Sequence, residues 1–264
     1  MTKILHIIVL QWFFSCLYAQ SGSLRPHQST PVTSNSTLTS DSGLAISRLD
    51  PCIEAKAALE TVTAFSKTDQ YVTALNQIQT AFLNKGKEHV IAFGKDDKNN
   101  ILTSFLNSGA QSNSTVPNMA NAFADLHNHP GNHPPDAGDL YGLIDINQKQ
   151  KDYNARFVVT QNNTVYALVI TNASAANSFN VKYPRDLSGC FGCSPKFPEA
   201  LVDEFREMKY GHGCTDEMAL AFLLEKYNTG ISLLKQHANG AFYILRTAIS
   251  RNGNNFSFTT INCQ

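Results

Sequence analysis

His127 and His129 stand one residue apart at the end of an apolar run, residues 121–126. In a β-strand, side chains two residues apart leave the same face, so both imidazoles can reach one metal ion. Pro130 and Gly131 follow at once and stop the strand. The pair Pro134-Pro135 then leads into Asp136, a good N-cap, and predicts a helix over 140–148 with Asp139 in its first turn. That turn brings a carboxylate back toward the histidines. Two neutral imidazoles and one carboxylate form a catalytic rather than a structural set for zinc, because a fourth position stays open for water. His127, His129 and Asp139 are therefore the candidate metal ligands.

The elements that must position this set can be read from the flanking pattern. Residues 88–93 read as a strand whose hairpin partner is 101–106, across the polar turn 95–100. Residues 155–160 and 164–170, both β-branched and aromatic, read as a second hairpin around 161–163. Ahead of the first hairpin, 52–65 and 69–83 read as a helical pair. Val72, Leu75, Ile78 or Gln79, and Phe82 recur at three-to-four spacing, and Gly86 closes the second helix. A short helix is expected to begin at 116–119. Beyond 176 the pattern changes to helices at 198–210 and 215–227, the first with Leu201, Phe205 and Met208 on one face. Strands follow at 231–235, 241–250 and 256–261, with turns at Gly240 and 251–254. This C-terminal α+β region carries no recognisable motif; it either packs against the core or forms a separate small recognition domain.

The order hairpin, metal strand, helix, hairpin, together with His127-Asn128-His129 and Asp139, resembles the JAMM (MPN+, JAB domain) zinc metalloproteases in an exported, bacterial-type form. The resemblance covers 87–175, roughly a third of the chain. That family's motif is a distant Glu, then His-x-His, seven residues, Ser, two residues and Asp. Here six residues separate His129 from Asp136, and Asp136 stands where the family has its Ser. The resemblance implies an α/β fold with an MPN-like mixed sheet flanked by helices, zinc on His127, His129 and Asp139, and Glu88 at the start of the first strand as general base. Asp136 occupies a catalytic position in the family, where a Ser hydroxyl can donate to a developing oxyanion and an ionised carboxylate would repel it. Three accounts of Asp136 stand side by side: a helix cap, an additional ligand, or the mark of a site that binds zinc without fast catalysis. The Pro-Pro-Asp order favours the cap.

Other histidines and Asn128 have plainer readings. His133 is expected to be a solvated loop residue at the rim. His89 should face away from Glu88, and Asn128 should point away from the metal and bond neighbouring backbone. His212 and His237 have little context of their own.

The 264 residues suffice for one well-buried domain with additions, or two small ones. With 21 basic and 21 acidic residues, the chain lacks the electrostatic footprint of a nucleic-acid binder. Residues 1–19 read as a secretory signal: Lys3 supplies the positive start, 4–14 form an apolar core too short to span a bilayer, and Ala19 marks the cleavage point. Cys16 offers the alternative of a lipid anchor. Residues 20–50, rich in Ser and Thr, read as a disordered tether to a helical pair at 51–86. Secretion or a periplasmic location would permit disulfides among Cys52, Cys190, Cys193, Cys214 and Cys263, an odd set that leaves one thiol over. Cys190-x-x-Cys193 with His212 and Cys214 is the competing zinc pattern, and the oxidising compartment favours disulfides.

These readings converge on an exported zinc-dependent hydrolase of amide or isopeptide bonds. Its substrate would be a protein or peptide, such as a cell-wall crosslink peptide or a ubiquitin-type conjugate, with no nucleic acid and no membrane span. The alternative is a non-catalytic metal-binding or interaction module that keeps the fold. Asp136 favours that alternative; the full set of Glu88, His127, His129 and Asp139 argues against it.

Overall fold

A computed structural model describes residues 51–111, 113–188, 194–252 and 255–263. The signal and tether (1–50) and the Cys190-x-x-Cys193 pattern lie outside the described residues. Among the described residues, no helix is long and apolar enough to cross a membrane.

The first helices form as the pattern requires. α1 (Pro51–Glu54) and α2 (Lys56–Phe65) are separated at Ala55, and α3 (Asp69–Lys85) begins where the Thr68 hydroxyl accepts from Tyr71 N–H. Gly86 closes α3 at φ +56°, a left-handed conformation in which a Cβ is disfavoured. The buried stripe of α3 is Tyr71, Ala74 and Ile78, whereas Val72 is 46 % exposed, so the face is rotated by one residue from the expected one. The Tyr71 ring explains the rotation: it packs against Phe65, Phe93 and Phe157 at centroid distances of 5.4, 6.2 and 5.1 Å. An aromatic cluster of this area outweighs the burial of one valine.

The strands are β1 (His89–Lys95), β2 (Ile101–Thr103), β3 (Asn107–Ser108), β4 (Ala122–Asn128), β5 (Ala155–Val159), β6 (Val165–Ile170), β7 (Ile231–Gln236), β8 (Phe242–Asn252) and β9 (Asn255–Cys263). Among the described residues they form one mixed sheet in the order β2-β1-β4-β5-β6-β7-β8-β9, with β3 also on β1. Every pair is antiparallel except β4 and β5, which run parallel because the helix α4 (Ala137–Lys149) carries the chain back across the sheet between them. Both expected hairpins form, β1 with β2 and β5 with β6. The C-terminal strands extend the same sheet, since β7 pairs with β6 from Tyr166 opposite Lys235 to Ile170 opposite Ile231.

Helices cover both faces. α1, α2 and α3 pack on one side over Ile91, Phe93, Leu126 and Phe157. α4, α5 (Ala173–Lys182), α6 (Glu199–Arg206) and α7 (Asp216–Lys226) lie on the other, over Tyr166, Leu168, Leu233 and Leu245. A π-helical turn, Glu207–Gly211, follows α6. Residues 116–119 form no helix, which corrects the expectation there: Pro117 disfavours a helical Val116. α5 has no clear apolar periodicity, yet Asn172 caps it by accepting from Ala175 N–H at 3.0 Å.

Candidate metal centre

Past an irregularity at Ala122–Ala124, where the register on β1 shifts, strand β4 is buried and alternates. Leu126 faces the α1–α3 side, while Asp125 and His127 face α4. His129 N–H donates to Val159 O at 2.9 Å, so the parallel ladder runs one residue past β4 before Pro130 ends it. The loop 130–135 leads to Asp136, whose Oδ1 accepts from Gly138 N–H (2.7 Å) and Asp139 N–H (3.2 Å). Asp139 Oδ2 in turn accepts from Asp136 N–H at 2.9 Å, completing a capping box. This reciprocal cap fixes Asp139 at the helix start. Its Oδ1 lies 2.9 Å from His127 Nε2 and its Oδ2 3.2 Å from His129 Nε2, and the two Nε2 atoms are 3.3 Å apart.

One ligand atom from each of His127, His129 and Asp139 falls within 4.8 Å of the others, and all three residues are buried. Among the described residues no other group of three His, Cys, Asp or Glu side chains meets that geometry. The rear nitrogens are fixed as well: His127 Nδ1 is 3.1 Å from Asp125 Oδ1, and His129 Nδ1 donates to the His133 carbonyl at 3.1 Å. A carbonyl only accepts, so His129 carries a hydrogen on Nδ1 and presents Nε2 to the centre; the Asp125 carboxylate does the same for His127. This donor set is able to bind a metal ion.

A deeper layer holds Asp125. Arg156 Nε donates to its Oδ2 at 2.9 Å, and the Tyr153 hydroxyl donates to the same oxygen. Arg156 Nη1 also reaches Asp139 O at 3.3 Å, so one guanidinium ties β4 to α4. Burial pushes the Asp125 carboxyl up, but Arg156 and His127 outweigh it and leave it below the ordinary carboxylate range. Burial likewise pushes His127 down, and Asp139 with Asp125 reverses this and raises it to about 10. Asp139 is held well below its ordinary value, because the two imidazoles outweigh its own burial. The pocket therefore favours positive charge between the three side chains, whether protons or a cation.

Glu88 is buried at 8 % exposure. β1 and β4 pair with Val90 opposite His127, and extending this register by two residues sets Glu88 opposite His129, on the face of the metal centre. Burial raises its carboxyl above the ordinary value, with His127 and His129 pulling the other way. Asn128 turns aside as expected: its Oδ1 accepts from His89 N–H at 2.7 Å and its Nδ2 donates to Lys87 O at 2.9 Å. The His133 imidazole is 76 % exposed, and that residue serves the centre through its carbonyl alone. His212 packs against Phe258 and His237 against Tyr243, at centroid distances of 4.7 and 4.2 Å.

Sequence reasoning gave no role to Asp125, Tyr153 or Arg156. Asp125 was detectable, since it continues the alternation of His127 and His129 backwards by two. Tyr153 and Arg156 were not, because they meet Asp125 only through the β4–β5 register that sets Asp125 opposite Arg156. Of the cysteines, Cys52 and Cys263 form a disulfide with Cα atoms 5.7 Å apart, and Cys214 is a buried free thiol.

Glu88, His129 and Asp136 line a cleft of about 780 Å³ together with Pro134, Pro135 and residues of α6 and α7. No family model matches the chain, and neither a curated protein nor a solved structure shows significant similarity to it.

Proposed function

We propose that this protein is a zinc-dependent hydrolase of amide or isopeptide bonds, built on an MPN-like core and exported by its N-terminal signal. The observation that carries the proposal is the convergence of His127 Nε2, His129 Nε2 and the Asp139 carboxylate near a buried Glu88, with Glu88 and His129 lining an open cleft. Zinc held there would supply Lewis acidity, lowering the pKa of water to about 7 and polarising a carbonyl oxygen. Glu88, with its affinity for protons raised by burial, takes the proton from the attacking water and delivers it to the leaving amine. Asp125 and the His133 carbonyl keep both imidazoles in the tautomer that leaves Nε2 as the ligand atom. Pro130, Pro134 and Pro135 line the cleft together with His129.

Asp136 favours a second reading. Its carboxylate is engaged by the backbone N–H groups of α4, so this position presents no hydroxyl donor to an oxyanion. A binding module that retains the metal would need none.

The test is metal analysis of purified protein together with two variants. About one zinc per chain is expected. The double variant His127→Ala, His129→Ala should lose it, whereas Glu88→Gln should keep the zinc and abolish cleavage of peptide, isopeptide-linked and cell-wall crosslink substrates. Iron in place of zinc, or zinc unchanged in the double variant, would refute the proposal. Zinc with no hydrolysis of any substrate by the wild-type protein would make the binding module the better reading.

A further inference from the structure

The two edges of the sheet are built differently. On one side, β1 is bordered by β2, three residues long, and β3, two residues long, and its ladder to β4 shifts register between Phe93 and Gly94. Short strands and irregular registers are devices that keep a sheet edge from pairing with other chains. The other side ends on β9, nine residues paired to β8 from Ile244 opposite Cys263 to Asn252 opposite Asn255 without a register shift. β9 contains no charged residue, no Pro and no Gly. Its stretch 256–261, Phe-Ser-Phe-Thr-Thr-Ile, joins aromatic and β-branched residues with zero charge, a composition that favours the addition of a further strand.

Among the described residues, no helix or loop covers this strand. Of residues 256–262 only Phe258 is half-buried, against Phe222 and His212, and the others are exposed, Phe256 at 51 % and Ile261 at 42 %. The β8 register sets Ile249 opposite Phe258, on the face of α7, and Ile249 is 49 % exposed as well. Ile261, opposite Arg246, adds apolar surface on the other face, where Arg246 Nη1 reaches Cys52 Sγ at 3.3 Å.

An edge strand aims the N–H and C=O groups of alternate residues outward, so what fits it is another strand. We infer that β9 pairs antiparallel with β9 of a second copy of this chain, about a two-fold axis perpendicular to the sheet, so that one sheet continues across the dimer. An antiparallel edge is self-complementary, and an uncharged one meets no repulsion from its own image. Full overlap places Thr259 on the two-fold. Antiparallel pairing gives about one hydrogen bond per residue, so roughly nine would form, close to the ten or so of an ordinary protein interface. The assembly also closes on itself, because the pairing covers both β9 edges and leaves only the short-stranded β2 and β3 side at each end.

The experiment is sedimentation of the whole chain over a range of concentrations. The wild-type protein should sediment at twice the chain mass and dissociate on dilution. Thr259→Lys and Thr259→Glu each set like charges against each other at the two-fold and should each weaken association about ten-fold or more. An equimolar mixture of the two should restore it through opposite charges, a recovery that misfolded protein could not produce. Directly opposed Cα atoms lie about 4.5–5.5 Å apart, a span that a disulfide bridges. Thr259→Cys should therefore form a linked dimer under mild oxidation beyond the level of the wild type, whereas Thr103→Cys on the opposite edge should not. A monomer at every concentration, association indifferent to both charged variants, no recovery in the mixture, or no linked dimer from Thr259→Cys would overturn the inference and leave the edge to residues before Pro51 or to a foreign strand. Zinc content should be the same in all these proteins, because β9 lies five places from β4. The dimer and the hydrolase reading thus stand or fall separately.

Discussion

Asp139 meets two demands with one carboxylate, capping its own helix through Asp136 N–H and facing both His127 and His129. The price is sensitivity to pH. In chelator-treated protein the folded His127 titrates near 10, above its unfolded value of about 6.5. Its contribution to stability is then complete below about pH 6.5 and is lost as pH rises toward 10, and the raised His129 acts in the same sense. Asp139 supplies the opposite flank: its contribution is present above about pH 3.8 and is lost as pH falls through its depressed folded value. Melting temperatures of chelated protein, referred to His127→Gln across a pH series, should fall between pH 6.5 and 9; a flat or rising difference would contradict this. A divalent cation competes for the same nitrogens, so its apparent affinity should increase over that window with release of protons.

Asp125 is the residue on which the second layer depends. Asp125→Asn would leave the buried Arg156 guanidinium without its full counter-charge and His127 without a fixed tautomer. The expected losses are about 3–5 kcal/mol of stability in urea unfolding and roughly 10–100-fold in metal affinity by chelator competition. Unchanged affinity would show that Asp125 does not orient His127. The sequence displayed Asp125, His127 and His129 in one alternation, but what Asp125 holds in place was out of reach, because its partners arrive from a strand some thirty residues further on.

At the scale of elements, β4 and α4 position the ligands, and Arg156 between them needs room. An ideal Cβ on Gly142 would lie 2.4 Å from Arg156 Nη1, inside the buried face of α4. At an ordinary helix-interior site, Gly→Ala stabilises by about 0.5–1 kcal/mol. Gly142→Ala should do the reverse, costing roughly 1–3 kcal/mol by overpacking, and should weaken metal binding by displacing the guanidinium from Asp125. A urea titration showing stabilisation would refute the assignment. The elements most legible in the sequence were those with local grammar: the Asp136 cap, Gly86, and the two hairpins. α3 was found but rotated by one residue, since Tyr71 packs into a cluster assembled from α2, β1 and β5. α5 was missed although Asn172 is a capping residue, because a single cap without apolar periodicity is a weak signal.

Across the whole molecule, the Cys52–Cys263 disulfide joins α1 to the edge strand β9 over 211 residues. Cys52→Ser with Cys263→Ser removes a constraint on a very long loop and should cost roughly 2–5 kcal/mol, visible as a lower melting temperature. Metal affinity should hold, because β9 lies five places from β4 in the sheet. Loss of metal on breaking the bridge would show that the sheet transmits strain across its width.

Neighbouring residues were enough to specify two imidazoles on one face of a strand, a carboxylate returned by a capped helix, and the glycine that ends α3. Each rests on backbone periodicity or on a hydrogen bond spanning three or four residues, which composition and spacing specify directly. Tertiary structure was needed for the rest: that β7 to β9 extend the sheet carrying His127, that Arg156 stands opposite Asp125, and that Arg206 of α6 and Lys209 of the π-turn line the cleft. These depend on strand order and register over tens to hundreds of residues, where the choice among pairings is made by burial of two opposed apolar faces and not by any local preference of the chain.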